Sequence, residues 1–188
     1  VDPAALYRRN FIYGVLNGSL FMWGFALFNP STILSVLLLE LLGSKLIVGM
    51  LTTLLSAGWL IPQLLVSGYV LNKPRKMAFY RINTVFRTLS LASLLVVIGA
   101  LGGTNPKLAG YLILVSLFIY ALTNGLSGVP FMDIVSKIMP PDKRGRFFAT
   151  RMLLGNLLAF GSGFAIQRVL DSPTLGFPVN YVVLTGLG

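Results

Sequence analysis

The side chains that could do chemistry in this chain are polar groups set in apolar sequence, and they form no catalytic set. The sequence has no histidine and no cysteine, which removes the usual zinc and haem ligands and any thiol chemistry. It also lacks a phosphate-cradling glycine loop, carboxylates at useful spacing and a base beside a serine. We therefore expect no enzyme, no cofactor and no metal site.

Two arginines interrupt apolar stretches. The stretch after Arg87 ends at Leu101, so a helix long enough to cross a bilayer must take Arg87 into the hydrocarbon, and Arg151 is placed similarly. The favoured interpretation is that each guanidinium snorkels to the headgroups. The alternative is that each faces the bundle interior, where it pairs with Asp133 or meets an anionic solute.

A second group of polar side chains could hydrogen-bond a solute from helices around a central pathway. Each of these side chains could equally bond a neighbouring helix. The group comprises Asn17, Trp23, Gln63, Asn124 and Asn156.

The elements that position these residues are transmembrane helices. Charged residues make up 11% of the chain and hydrophobic ones 55%, with a mean hydropathy of +0.82, which a soluble core of this length cannot absorb. A helix needs about 20 apolar residues to cross a bilayer. The sequence predicts spans at 10–28, 46–71, 78–101, 108–132 and 147–170, with a truncated sixth at 181–188. Residues 31–42, at about 1.5 Å per residue, are too short to cross, and we expect them to extend the first helix outward to residue 42.

The basic residues predict the orientation. Those at the N-terminus and in the second-to-third and fourth-to-fifth connections fall on one side, and only Lys45, Lys107 and Arg168 fall on the other. We expect the N-terminus to be cytoplasmic, in a bacterial inner membrane, with anionic lipid headgroups as counter-ions and no nucleic-acid partner.

The two halves of the chain show traces of an inverted repeat. Asn17-Gly18 in span one matches Asn124-Gly125 in span four, and small residues at i, i+4, i+8 mark spans two and five. Such a face lets another helix approach closely, either within the bundle or from a partner half-domain. The two faces are Gly49, Thr53, Ala57 and Gly155, Ala159, Gly163.

Two connections resemble those of the major facilitator superfamily. Residues 130–147 read PFMDIVSKIMPPDKRGRF, similar to that family's loop between helices four and five, where an acid ends helix four and a proline-led turn with Arg-Gly opens helix five. Residues 68–76 read GYVLNKPRK, similar to a degraded form of its loop between helices two and three, with Asn72 where the family has an acid. The resemblance implies an all-α six-helix half-bundle of 3+3 inverted repeats, comprising residues 1–188 as the N-terminal half of a transporter whose C-terminal half is missing.

The resemblance also implies a cytoplasmic charge network that holds the outward-open state. Its acid is Asp133, and its candidate partners are Arg75, Lys76, Arg144 and Arg146. Lys137 and Lys143 are expected only to fix topology and contact lipid. No carboxylate lies deep in a complete span, which leaves Asp133 as the one candidate proton site in this half.

The function that follows is secondary active transport of a small solute by alternating access. The alternative is a non-transporting assembly factor or receptor of the same fold, which docks pigment, lipid or a membrane protein. A transporter should carry hydratable polar groups on its central cavity, whereas a scaffold should have the cavity plugged by bulky apolar side chains.

Overall fold

The protein is all-helical in the residues that the structure, a computed structural model, describes, which are 3–71 and 76–188. This confirms the predicted all-α class. Within these ranges the chain forms α1 (Pro3–Leu27), α2 (Ile33–Leu42), α3 (Lys45–Leu71), α4 (Lys76–Leu101), α5 (Pro106–Ile138), α6 (Pro141–Leu170) and α7 (Val179–Leu187).

Four of these helices contain segments long and apolar enough to cross a membrane: Lys45–Val66, Met77–Leu101, Pro106–Ile138 and Pro141–Leu170. They indicate a multi-pass membrane protein, as the composition predicts. α1 has comparable length but is not among the four, because Arg8, Arg9, Asn10 and Asn17 dilute its apolar character. Where the sequence predicts five full spans, hydropathy and length together therefore support four.

Residues 33–42 form a separate helix instead of the predicted extension of α1. Pro30 disfavours helical geometry at Asn29, which turns the chain: the Asn29 side-chain oxygen accepts from the Ser31 N–H at 2.9 Å, and its carbonyl accepts from the Thr32 N–H at 3.2 Å. α2 then ends at Gly43, whose φ of 65° is left-handed and whose N–H bonds the Leu39 carbonyl at 2.8 Å.

The predicted connection between spans four and five is much shorter than its polar sequence suggests. α5 continues through Asp133 to Ile138, and α6 begins at Pro141, where a missing N–H is harmless in the first helical turn. Backbone hydrogen bonds persist through polar residues, so a helix does not end where its apolar run ends. Arg144 ties the turn together by donating to the carbonyls of Ser136 at 2.6 Å and Met139 at 3.1 Å.

α5 is the central helix of the bundle. In its apolar window 44% of the residues are buried, against 11% for α6. A buried cluster joins α5 to one face of α2, to α4 and to α7 through Leu34, Leu37, Leu38, Leu41, Leu94, Ile98, Ile113, Leu117 and Tyr181. α2, α3 and α4 therefore pack against α5, whereas α1 packs mainly against α6.

Two helix pairs run parallel. In one, α1 lies along α6, with Gly14 against the Phe147 ring and Met22 against Gly155. In the other, α3 lies along α5, with Gly58 against Ala121 and Gln63 against Gly128. α4 is antiparallel to α5, to which it is joined by the Ser93–Ser116 hydrogen bond of 2.9 Å.

These directions bring the starts of α1, α4 and α6 and the ends of α3 and α5 to one end of the bundle. We call this the basic end. In the described chain it carries Arg8, Arg9, Arg81, Lys137, Lys143, Arg144 and Arg146. Lys45, Lys107 and Arg168 lie at the other end. The basic residues are thus segregated along the bundle axis.

Candidate functional site

A pocket of about 150 Å³ lies where α1, α4, α5 and α6 meet. It brings together two arginines and two asparagines that lie far apart in the sequence. Its lining is Asn17, Phe21, Tyr80, Arg87, Asn124, Ser127, Gly128, Phe131 and Arg151. We call it the basic pocket.

Arg87 enters the basic pocket from α4, about 15 Å along the helix from the basic end. Its Nη1 donates to Oδ1 of Asn124 at 3.2 Å, and its Cζ lies 5.3 Å from the centroid of the Phe21 ring. Asn124 in turn donates from Nδ2 to the Tyr120 carbonyl at 3.1 Å, which aims its amide oxygen at the guanidinium. The arginine is thus held between α1 and α5.

Arg151 enters from α6 at a similar distance from the basic end, about 15 Å. Its Cζ lies 4.6 Å from the centroid of the Phe131 ring, within the range of a cation–π contact. Its side chain crosses α1 at Gly18, where a Cβ would collide with the arginine stem and Nε. Next to that crossing, the Ser19 hydroxyl donates to the Arg151 carbonyl at 3.4 Å. Glycine at position 18 is therefore what lets Arg151 reach the pocket.

Both arginine side chains contact other helices of the bundle, as the alternative to snorkelling describes. Each is half-buried and rests on an aromatic ring inside the bundle. A ring face attracts a guanidinium through its quadrupole and needs no hydrogen-bond acceptor. Such contacts help two cations to stay inside an apolar bundle.

The basic pocket carries positive charge that its own lining does not neutralise. None of its described lining residues is acidic. Asp133, on α5 beyond Phe131, is not in the lining, and one of its partners is Lys137, with Oδ2 2.8 Å from Nζ. The lining therefore offers hydrogen-bond donors and two cations to whatever enters.

An apolar cavity of about 250 Å³ adjoins the basic pocket and shares Phe21 and Asn124 with it. The rest of its wall is aromatic and aliphatic. It consists of Phe25, Pro30, Leu55, Trp59, Tyr120 and Ala121. We call it the aromatic cavity. The two spaces form one cleft with a charged part and an apolar part.

Three predicted pathway residues lie elsewhere. Gln63 donates to the Trp59 carbonyl of its own helix at 3.2 Å and packs against Gly128. Trp23 is half-buried and Asn156 is exposed, and neither lines the basic pocket or the aromatic cavity. The sequence predicted how deep each residue lies along its helix, but not whether its side chain faces the cleft.

Only part of the predicted charge network lies in the described residues. Asp133 pairs with Lys137, one helical turn later, although Lys137 was expected only to fix topology. Arg144 holds backbone carbonyls, Lys143 pairs with Asp142 at 3.2 Å, and Arg146 is exposed. Arg75 and the side chain of Lys76 lie outside the described residues.

The residues of the two small-residue faces are partly packed within the bundle and partly open, as contact with a partner half-domain would require. Gly155 is buried against Met22 of α1, so it serves packing within the bundle. Gly49 and Gly163 are exposed, with open space where a Cβ would lie, and Thr53 is exposed too. Ala57 and Ala159 are half-buried.

Sequence reasoning missed Tyr80, Phe21, Ser127 and Phe131. Helical spacing could have found them, because residues at i+3, i+4 or i+7 share a face. Tyr80 lies seven residues before Arg87, Phe21 four after Asn17, and Ser127 and Phe131 three and seven after Asn124.

A third depression, of about 790 Å³, lies along the last turns of α6 and is lined by Phe164, Ala165, Gln167, Arg168 and Asp171. Because one helix and its cap supply this whole lining, it is an open groove and not an enclosed site.

No family model matches the chain, and no curated protein or solved structure matches it. The case for a function therefore comes from the cleft itself.

Proposed function

We propose that this chain is a six-helix half of a secondary active transporter of the major facilitator type, which moves a small solute by alternating access. The observation that carries the proposal is the convergence of Asn17, Arg87, Asn124 and Arg151 on one pocket from four different helices. Polar groups at membrane depth cost free energy, so a cluster of them indicates a pathway or a binding site.

The pairing of helices supports an inverted repeat. If spans one to three correspond to spans four to six, α1 corresponds to α5, and α3 to α6. The parallel pair α1–α6 then corresponds to α5–α3, which is also parallel. In both pairs the glycine of an Asn-Gly step lies at the contact, Gly18 against Arg151 and Gly125 against the Trp59 backbone. In both, the asparagine before it faces the basic pocket.

The lining of the cleft favours a carrier over a scaffold that docks pigment, lipid or protein. Side chains that water or a solute can hydrogen-bond supply most of the basic pocket. A docking scaffold needs no such groups and gains stability by filling the space with apolar side chains.

The proposal requires a second six-helix unit as a partner. Two of the faces that such a unit would cover, at Gly49 and Gly163, are open. In lipid, small residues like these let a neighbouring backbone approach closely. The second unit would close the cleft and alternate its opening between the two sides.

Labelling of introduced cysteines tests alternating access in this cysteine-free chain. Asn17→Cys and Asn124→Cys should both react with a membrane-impermeant thiol reagent in intact cells and in inverted vesicles, because the cleft opens to each side in turn. Val15→Cys, buried on α1, is the matched control and should stay unlabelled. Reaction of positions 17 and 124 from one side only would exclude alternating access and favour the scaffold.

The same reagent tests the orientation that we propose, with the basic end in the cytoplasm of a bacterium and facing anionic headgroups. Ser136 and Thr104 are exposed near opposite ends of α5. Ser136→Cys should be labelled only in inverted vesicles and Thr104→Cys only in intact cells. The reverse pattern would invert the topology.

A further inference from the structure

We infer that the solute is an amphipathic organic anion, with its charged group on Arg87 and Arg151 and its apolar body in the aromatic cavity. The inference rests on the proposed transport function and adds the chemical class of the solute. It follows from the charges in the basic pocket and from the character of the space beside it.

The charged end follows from hydrogen-bond accounting. A guanidinium has five N–H donors. Among the described residues, Arg87 makes one side-chain hydrogen bond, to Asn124, and Arg151 makes none. Two cations that share an apolar surrounding repel each other, and no described lining residue is acidic. An anionic oxygen group would satisfy the donors and relieve the repulsion.

Each arginine lies next to a phenylalanine ring, which leaves its N–H donors for a ligand. Arg87 has its Cζ 5.3 Å from the centroid of the Phe21 ring, and Arg151 has its Cζ 4.6 Å from that of Phe131, so each cation has a ring as a neighbour. The donors lie in the guanidinium plane, at its edge, and stay available to a ligand. This geometry suits a carboxylate, sulfonate or phosphonate, which can accept more than one such hydrogen bond.

The apolar end follows from continuity with the aromatic cavity. Phe21 belongs to both spaces, so a ligand bound at Arg87 passes directly from guanidinium to ring. Beyond Phe21 the wall is Phe25, Leu55, Trp59 and Tyr120, which suits a ring or a short hydrocarbon body. A simple inorganic anion would leave this apolar surface hydrated. A neutral apolar solute would offer the two arginines neither an opposite charge nor hydrogen-bond acceptors.

The volumes set the scale of the ligand. About 150 Å³ beside the arginines and about 250 Å³ beside Trp59 hold one acidic group and one small ring system. Membrane lipids share the same chemistry, since an anionic headgroup is joined to hydrocarbon. Two acyl chains exceed the aromatic cavity even together with the space of about 270 Å³ that continues past Phe25 and Trp59, which favours a water-soluble organic anion.

The test uses phenylmethanesulfonate as the probe and Trp59 as the reporter. The chain has two tryptophans, so Trp23→Phe leaves Trp59 alone, in the wall of the aromatic cavity. Its fluorescence is titrated in phosphatidylcholine nanodiscs with the probe, with the neutral methyl phenylmethyl sulfone and with methanesulfonate. We expect the probe to bind about 10- to 100-fold more tightly than the sulfone, the range for hydrogen bonds to a charged group. Methanesulfonate, which lacks the ring, should also bind more weakly.

Substitutions assign the charge to the two arginines. Arg87→Gln and Arg151→Gln should each weaken probe binding about tenfold or more and leave binding of the sulfone unchanged. The matched controls are Arg81→Gln, exposed on α4, and Arg168→Gln, exposed on α6, which should bind as the parent does. If a glutamine variant fails to fold, Arg87→Lys and Arg151→Lys keep the charge and should bind between parent and glutamine.

Three results would overturn the inference. The first is equal affinity for sulfonate and sulfone in the parent, which needs no variant to fold. The second is equal loss of affinity in the control substitutions. The third is competition by phosphatidylglycerol for the probe, which would assign the arginines to lipid headgroups. If the probe does not bind as expected but positions 17 and 124 are labelled from both sides, the protein is a transporter of another solute. Binding without two-sided labelling leaves an anion site in a protein that does not transport.

Discussion

The two parallel helix pairs use the same Asn-Gly step for different purposes. In α3–α5, Gly125 faces the backbone carbonyl of Trp59, and Gly58 next to it faces Ala121, so the helices touch backbone to backbone. In α1–α6, Gly18 faces the side chain of Arg151. One glycine closes an interface, and the other makes room for a charge.

The difference shows how a repeated bundle can admit a cation between the helices of one pair and not of the other. Close backbone contact at Gly125 leaves no space for solute or water between α3 and α5 at that point. In α1–α6 the space at Gly18 is taken by the Arg151 side chain, which brings a cation into the basic pocket. The two equivalent pairs therefore differ in whether a cation reaches the cleft from between their helices.

The largest expected effect is that of Gly125→Ala. A methyl group there meets a backbone carbonyl, which cannot rotate away, so α3 and α5 must separate. We expect the free energy of unfolding to fall by about 1–3 kcal/mol, as for overpacking in a tight core. Denaturation in mixed micelles, followed by helix content, measures the change. Gly128→Ala, where a Cβ would lie 3.4 Å from the Gln63 side chain, is the control and should be nearly neutral. Equal effects of the two would mean that the backbone contact is not special.

A smaller effect on stability is expected from Gly18→Ala. The new methyl group meets a flexible side chain, so Arg151 changes rotamer at about 0.5–1.5 kcal/mol, and the helices stay in place. Moving the guanidinium should weaken phenylmethanesulfonate binding about tenfold, which corresponds to about 1.4 kcal/mol. Titration of Trp59 fluorescence measures it, with Gly163→Ala as the control in open space. Loss of stability without loss of affinity would show that Gly18 only packs, as Gly125 does.

The sequence predicted the class of the fold because hydropathy and length are properties of a linear segment. α3 and α4 follow their apolar runs, whereas α5 continues beyond its run to Ile138 and α6 begins before its run, at Pro141. The separation of α2 depends on Asn29 and Pro30, whose turn could have been recognised. The end of α5 could not have been read from polarity, since a helix outside the hydrocarbon still satisfies its own backbone.

The site was predicted in part. Asn17 and Asn124 were singled out by an internal match, and they line one pocket. The inward direction of Arg87 and Arg151 was predicted only as the alternative, because it depends on Phe21 and Phe131 of other helices. Trp23 and Asn156 were selected for polarity and depth alone, and neither lines the cleft.

The length of α5 makes bilayer thickness a variable of the site. Its 33 residues extend about 50 Å, whereas the hydrocarbon of a bilayer is about 30 Å thick. Its polar end protrudes, and its apolar part, residues 108–132, is still about 38 Å long and must tilt, more so in a thinner membrane. α5 supplies Asn124, Ser127 and Phe131 to the basic pocket and Tyr120 to the aromatic cavity, so a change in its tilt moves much of one wall relative to α1 and α6. We therefore expect the shape of the cleft to change with the acyl-chain length of the surrounding lipid.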